Sequence, residues 1–280
     1  PYSLTGSQKA ATHEILTDMA QPLRMNRLLQ GDVGAGKTVV ALLALVTAVE
    51  AGAQGALMVP TEILARQHVA TLSKLAEPAG LRIALLTGRE KGRAREDVLQ
   101  DLANGKVDIL VGTHALFQED VVFRDLGLVV IDEQHRFGVH QRLALQAKAG
   151  ATPDLLVMTA TPIPRTLALT VYGDMDVSKL TEKPAGRLPV DTRVLPLSRM
   201  DDVVAGLGRS MAVGVRAYWV CPLVEESEVV DMAAAEERFA SLHKLYPGKV
   251  GLVHGRMKGP DKDSVMTAFK AGALSILVST

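Results

Sequence analysis

With one cysteine in 280 residues, Cys221, the chain cannot form an internal disulfide, which fits a reducing compartment. Histidine is also scarce. The seven present show no pairing at metal-ligand spacing, and His135 and His140 stand five apart, off a single helix face, so a zinc centre is not expected. Neither charge sign dominates: 31 Lys and Arg balance 31 Asp and Glu, and no global basic field announces a nucleic acid. A groove lined locally by basic loops and backbone amides stays open. Aromatic residues make up 4% of the chain, with no basic–aromatic strip of the kind that stacks on bases. No apolar run approaches the about 18 residues of a membrane span. The longest, Val39 to Val49, is broken by Thr47 and followed by Glu50 and Gly52. The start shows no basic n-region with an apolar h-region, so no secretory signal is visible, and the chain opens on Pro1 rather than Met, which leaves room for an upstream segment.

What is present is a soluble-type composition, 48% hydrophobic and 22% charged, long enough for two compact domains or one large one. Short apolar runs alternate with helix-length segments. Strands are expected at Leu28–Gln30, Ala56–Val59, Ile83–Leu86, Ile109–Val111, Leu128–Ile131 and Leu155–Met158. Several are almost continuous in Val, Ile and Leu, as strands buried on both faces of a parallel sheet should be. Helices are expected at Val39–Ala51, Glu62–Ala76, Arg93–Asn104 and Gln141–Lys148, closed by turns at Gly52, Gly80, Gly105 and Gly150. This alternation predicts a doubly wound α/β domain with its ligands at the carboxyl ends of the strands. From Gly173 to Leu197 the character changes: Pro184, Gly186, Pro189 and Pro196 interrupt any helical period, and the stretch reads as a linker or interdomain strand. Alternation then restarts with strands at Tyr218–Val220, Val250–Val253 and Ser275–Val278 and helices at Met232–Leu245 and Lys262–Lys270. The expected organisation is a first lobe over 1–175, a linker over 176–197 and a second, incomplete lobe over 198–280.

Three segments carry chemistry. Gly31-Asp32-Val33-Gly34-Ala35-Gly36-Lys37-Thr38 follows an apolar strand and opens a helix. Its pattern arises by chance in roughly 1% of chains this long. Backbone N–H groups, glycines that permit close approach and a helix N-terminus together suit a polyphosphate. Lys37 is placed for the β- and γ-phosphates and the Thr38 hydroxyl for Mg²⁺. A glycine-rich turn capping a helix explains the glycines but not the Lys-Thr pair. Leu128–Ile131 runs into Asp132 and Glu133. Asp132 would hold Mg²⁺ through water, and Glu133 would orient or deprotonate the attacking water; a solvated strand exit is the plainer alternative. Thr159-Ala-Thr161-Pro-Ile-Pro-Arg165-Thr166 follows another buried strand, and alone it reads equally as a turn with an N-cap.

In this order and spacing the three segments resemble the motor core of superfamily-2 DNA helicases, most closely the RecG branch-migration helicases. Asp132-Glu-Gln-His-Arg-Phe-Gly138 is the sharpest match. Leu4-Thr-Gly-Ser-Gln8, Val59-Pro-Thr-Glu-Ile-Leu-Ala65, Val111-Gly-Thr-His114, Trp219-Val-Cys-Pro-Leu-Val-Glu-Glu-Ser227 and His254-Gly-Arg-Met257 extend it over essentially the whole chain. The resemblance implies two RecA-like doubly wound parallel-sheet lobes, the second truncated, with Mg-ATP bound in the cleft between them. It implies that Gln8 reads the adenine edge, although Thr5-x-x-Gln8 is equally a capping box that starts a helix, and both can hold. Thr159 and Thr161 resemble the motif that relays nucleotide state to DNA, with Gln134 and His135 in the same coupling.

For DNA the resemblance points to Pro60, Thr61 and Glu62, to Gly112, Thr113 and His114, and to Thr87, Gly88 and Arg89, loops that hold phosphates without reading sequence. Arg89, Lys91, Arg93 and Arg95 form the one dense basic cluster, which a solvated helix start explains nearly as well. Trp219 and Tyr218 are expected in the second lobe's core. The implied substrate is branched or double-stranded DNA, with a single-strand-binding protein as a partner, a monomeric state and a bacterial cytoplasmic, nucleoid-associated setting. Absent from the chain are the family's wedge domain and its later arginine-finger motif, worth about 10³–10⁵ in turnover. This chain is therefore expected to bind Mg-ATP and hydrolyse it poorly. Two other readings remain: a transcription-repair coupling translocase, which usually has Glu where Gln134 stands, and a non-motor nucleotide switch. A P-loop kinase fits the Asp132-Glu133 pair less well.

Overall fold

The runs of Val, Ile and Leu form parallel strands, as their burial on both faces requires. The computed structural model describes residues 3–132, 153–161, 175–182, 190–221 and 228–280, with the backbone alone at 77, 117 and 228–232. Two units meet in the chain at 188/189. In the first, β1 (Asn26–Gly31), β2 (Gln54–Met58), β3 (Ile83–Leu86), β4 (Ile109–Gly112), β5 (Leu126–Asp132), β6 (Asp154–Thr159) and β7 (Asp176–Leu180) make one sheet. Its order is β3-β4-β2-β5-β6-β1-β7, and every pairing is parallel. The last strand falls within the 176–197 stretch read above as linker or interdomain strand, and it pairs with β1 from Arg27↔Asp176 to Gly31↔Leu180.

Successive strand residues feed two separate cores. Leu29, Leu57, Val111, Val130 and Leu156 pack on one face with α1 (Gly6–Met19), α2 (Lys37–Glu50) and α3 (Glu62–Ala76). Their neighbours Leu28, Met58, Leu110, Val129 and Val157 pack on the other with Leu102 of α4 (Arg93–Ala103) and with Leu116. A period of two with apolar residues on both faces is what makes such strands read as unbroken hydrophobic runs. The expected helix Gln141–Lys148 and its Gly150 turn lie outside the described residues.

Polar side chains fasten the sheet's ends. Buried Arg27 of β1 donates to Asp18 at 2.7 Å and to Ser178 at 2.9 Å, and Ser178 bonds to Glu14, so α1 is tied across β1 and β7. Gln54 opens β2 with its amide fully used: Nε2 donates to Leu102 O (3.0 Å) and Val107 O (2.7 Å), while Oε1 accepts from Arg124 N (2.8 Å) and Asp125 N (3.1 Å).

In the second unit β8 (Ala217–Val220), β9 (Val250–Val253) and β10 (Ile276–Ser279) form a parallel sheet in the order β8-β10-β9. With it run α5 (Met200–Ala212), α6 (Glu228–Leu245) and α7 (Gly259–Lys270). The sequence reading assigned no helix to α5. Among the described residues, no helix is long and apolar enough to cross a membrane.

Candidate functional site

The glycine-rich loop leaves the carboxyl end of β1 and enters α2 at Lys37. Gly34 (φ +77°) and Gly36 (φ +88°) take the left-handed backbone that turns it. Asp32, Val33 and Gly34 are exposed and Ala35 is buried, so the loop stands open to solvent on a packed base. Lys37 Nζ donates to Gly31 O at 2.7 Å and Asp32 O at 3.2 Å, which holds the ammonium over the loop where phosphates would replace those carbonyls. Thr38, the second residue of α2, is half-buried beside it. Gly31 has a packing reason as well: a Cβ there would lie 2.8 Å from Leu180 Cβ of β7.

Gln8 lies against this loop. The capping box is present, with Thr5 Oγ1 accepting from Gln8 N (3.3 Å) and Gln8 Oε1 accepting from Thr5 N (3.0 Å). Its Nε2 donates to Ala35 O at 2.8 Å, and the same amide fills the space that a Cβ on Gly36 would take. The exposed Glu182, just past β7, accepts from Ser7 N at 2.8 Å and so holds the start of the same helix. The Ser7 amide, with the Thr5 and Ser7 hydroxyls, keeps the Glu182 carboxyl below its ordinary value. An open hollow of about 280 Å³ lies at the ends of β1, β6 and β7, lined by Gln30, Asp32, Ala160, Lys179 and Thr181 among others.

Asp132 ends β5 and Thr159 ends β6, which lies between β5 and β1, in register Asp132↔Met158 and Gln30↔Thr159. The structure thus brings the loop, the acid and the threonine pair to one edge. Thr159 is buried; its Oγ1 lies 3.1 Å from Thr161 Oγ1 and accepts from Thr161 N at 3.1 Å. Gln30 Nε2 donates to Thr161 O at 3.2 Å, a direct tie from the strand under the phosphate loop to the threonine segment. Asp132 is buried, and its Oδ2 lies 3.2 Å from His68 Nε2 on α3. Mg²⁺ prefers oxygen donors and is usually shared between one or two protein groups and substrate phosphates. Asp132 and Thr38 supply that donor chemistry. Among the described residues no three His, Cys, Asp or Glu side chains cluster as a protein-only cage would need. Glu133, Gln134 and His135 lie outside the described residues.

The loops expected to meet DNA follow β2, β4 and β3, which adjoin in the register Met58↔Gly112 and Leu86↔Gly112. They occupy the other half of the same sheet edge. Pro60 and Thr61 are half-buried, and Thr61 Oγ1 accepts from Leu64 N at 3.3 Å to start α3. Gly112 and Thr113 are buried while His114 is exposed, so at the surface this loop offers His114. A Cβ on Gly112 would run into Leu86 O, and this close strand approach accounts for the glycine. Arg89 pairs with Glu62 at 2.6 Å and Arg95 with Asp120 at 2.9 Å. Two members of the basic cluster are therefore already matched to acids. Partial burial opposes ionisation of Glu90, but the Thr87 hydroxyl and amide, with Arg66, hold its carboxyl below the ordinary value.

In the second unit Trp219 packs with the core around Leu242 and Ile276, with the Arg238 guanidinium 5.0 Å from its ring centre. The expectation for Tyr218 is corrected: it is 66% exposed, because β8 alternates and Tyr218 takes the face opposite Trp219. Its ring meets Phe269 edge-on at 5.0 Å. Sequence reasoning missed His68, Gln30 and Glu182. For His68 the one available signal was a polar residue in the apolar stripe Ala65, His68, Leu72 of α3.

Residues 5–170 match the family model for the DEAD/DEAH box helicase. Over its full length the chain is 51% identical to the ATP-dependent DNA helicase RecG of Bacillus subtilis (strain 168), and 50% identical to that of Escherichia coli (strain K12). It spans 41% of the length of each. A structure of RecG bound to a three-way DNA junction superposes with a TM-score of 0.79 at 44% identity, covering 100% of this chain and 36% of that one. The DEAD-box helicase Mss116 bound to ssRNA and UDP-BeF shares the fold, with a TM-score of 0.76 at 17% identity over 99% of this chain and 60% of its own. These neighbours make the architecture a RecA-like helicase fold.

Proposed function

Since the chain belongs to the DEAD/DEAH box helicase family, we propose that it is the motor core of an ATP-dependent DNA helicase or translocase of the RecG kind, acting on branched DNA such as stalled forks and Holliday junctions in recombination and repair. The observation that carries this reading is the division of one sheet edge. The phosphate loop, Asp132 and Thr159 sit at the ends of β1, β5 and β6, and the Thr61, Arg89 and His114 loops at the ends of β2, β3 and β4. A nucleotide on one half and a phosphate backbone on the other would be joined by a rigid sheet, as a motor needs.

On this reading Lys37 and the loop amides neutralise the β- and γ-phosphates, and Gln8, seated against Ala35, reports on the base. Thr38 and Asp132 hold Mg²⁺, which supplies charge neutralisation at the transferring phosphoryl group. Glu133 orients the water, with Gln134 and His135 in the coupling between nucleotide and DNA. Thr159 and Thr161, tied to β1 through Gln30, pass the state of the nucleotide toward the DNA loops. The setting is the bacterial cytoplasm at the nucleoid, with the protein acting as a monomer and single-strand-binding protein as a partner. Spanning 41% of its relatives' length, the chain by itself is expected to bind Mg-ATP and turn it over slowly.

The test is ATP turnover by the full-length protein with no DNA, with linear duplex and with a model fork, alongside Lys37→Ala. Strong stimulation by the fork, abolished in the variant, is the expected result. Equal rates in all three conditions would reduce the reading to a non-motor nucleotide module. For residues 1–280 alone, a brisk DNA-stimulated rate would overturn the expectation of slow turnover.

A further inference from the structure

The seam of α3 that faces the sheet carries Ala65 and Leu72, both fully buried, and between them His68, whose side chain is 10% exposed. A leucine would fill that position at no polar expense. Instead an imidazole is buried with Nδ1 lacking any hydrogen-bond partner among the described residues. The ring's other nitrogen, Nε2, meets Asp132 Oδ2 at 3.2 Å. An ionised carboxylate only accepts, so Nε2 carries the proton and donates. A ring nine-tenths buried that, among the described residues, spends its one polar contact on an acid is a ring held for that acid.

We propose that His68 is the positioning residue of Asp132. By fixing Oδ2 it sets the carboxylate's orientation, so that the other oxygen serves the magnesium-bound nucleotide. Partner groups behind a metal's ligands act in this way in many sites. Thr61 starts α3 through its bond to Leu64 N, and His68 lies two turns further along the same helix. The inference rests on the reading of Asp132 as a magnesium-site residue.

The experiment measures binding of a non-hydrolysable fluorescent ATP analogue to the intact protein, once with Mg²⁺ and once with EDTA. It compares the natural sequence with H68L, H68Q, H68N and D132N. H68L is expected to lose roughly 10-fold in affinity with Mg²⁺ and to match the natural sequence in EDTA. H68Q, whose amide nitrogen reaches the place of Nε2, should restore most of the loss, and the shorter H68N should not. If H68L fails to fold, the contrast between H68Q and H68N decides the matter. Equal losses with and without Mg²⁺ would mark a merely structural histidine and overturn the proposal. So would an unaltered H68L beside a D132N that has lost its magnesium dependence. Should D132N itself keep the full magnesium effect, the fault would lie with the reading of Asp132.

Discussion

Gly36 carries two demands at one position. Its φ of +88° lies in the region that costs a residue with a Cβ about 1–2 kcal/mol, and its missing side chain is the space that the Gln8 amide occupies. Gly36→Ala should therefore lower stability by roughly 1–2 kcal/mol and, by expelling Gln8 from Ala35 O, weaken nucleotide binding more than the strain alone explains. Thermal unfolding together with nucleotide titration separates the two effects, and an alanine variant that binds as the natural protein does would show the Gln8 contact to be idle. At this scale the turn of the loop was legible from spacing alone, since the left-handed backbone at Gly34 and Gly36 leaves its mark in glycines. Its supports were not. Gln30 looks like any strand residue until its partner Thr161, 131 positions away, is known. His68 stands out only as a polar residue in the apolar stripe of α3, and its partner Asp132, 64 positions away, is not written there.

Among the elements, α3 shows the sequence at its most readable and α5 at its least. The bounds of α3 fall where its apolar period does, Glu62–Ala76, because one face packs on the sheet and the rest is polar. The second helix, α5, keeps an apolar period through Val203, Val204, Leu207 and Met211, but it contains Gly206 and Gly208, each a cost of about 1 kcal/mol in a helix interior, and these read as breakers. Tertiary packing overrides propensity there: Val204, Leu207 and Met211 join the second core, and Tyr246 Oη donates to Val204 O at 2.7 Å. A Cβ on Gly208 would stand 2.9 Å from that same Oη, so the glycine makes room for the tyrosine. Removing the hydroxyl in Tyr246→Phe gives up one bond worth about 1 kcal/mol. Amides of α5 should then exchange with solvent faster by roughly fivefold. Exchange rates unchanged across Met200–Ala212 would mean that apolar packing alone holds the helix.

At pH 7 the charges cancel, 31 against 31, so near that pH stability turns on particular carboxylates and not on net repulsion. Partial burial opposes ionisation at Glu90 and Asp108, but bonds from Thr87 and from Arg82 hold both below the ordinary carboxylate value, as the Ser7 amide does for Glu182. Each contributes stability that is present above the unfolded value of about 4 and is lost as pH falls through the folded one. Asp154 runs the other way. Burial raises it, against the Met25 amide that donates to its Oδ1 at 2.8 Å. Its contribution is complete below about pH 4 and disappears as pH rises through its folded value. Asp154→Asn keeps an oxygen for Met25 N and removes the ionisation. At about pH 7 the variant should be at least as stable as the natural protein. Its thermal midpoint should also fall more steeply on acidification, because among the described residues the one carboxylate that offsets these three has been taken away. Midpoints measured from about pH 7 to about pH 3 decide the matter: a shallower fall in the variant would show that Asp154 is held ionised in the folded protein, with the Met25 amide outweighing burial at the base of β6.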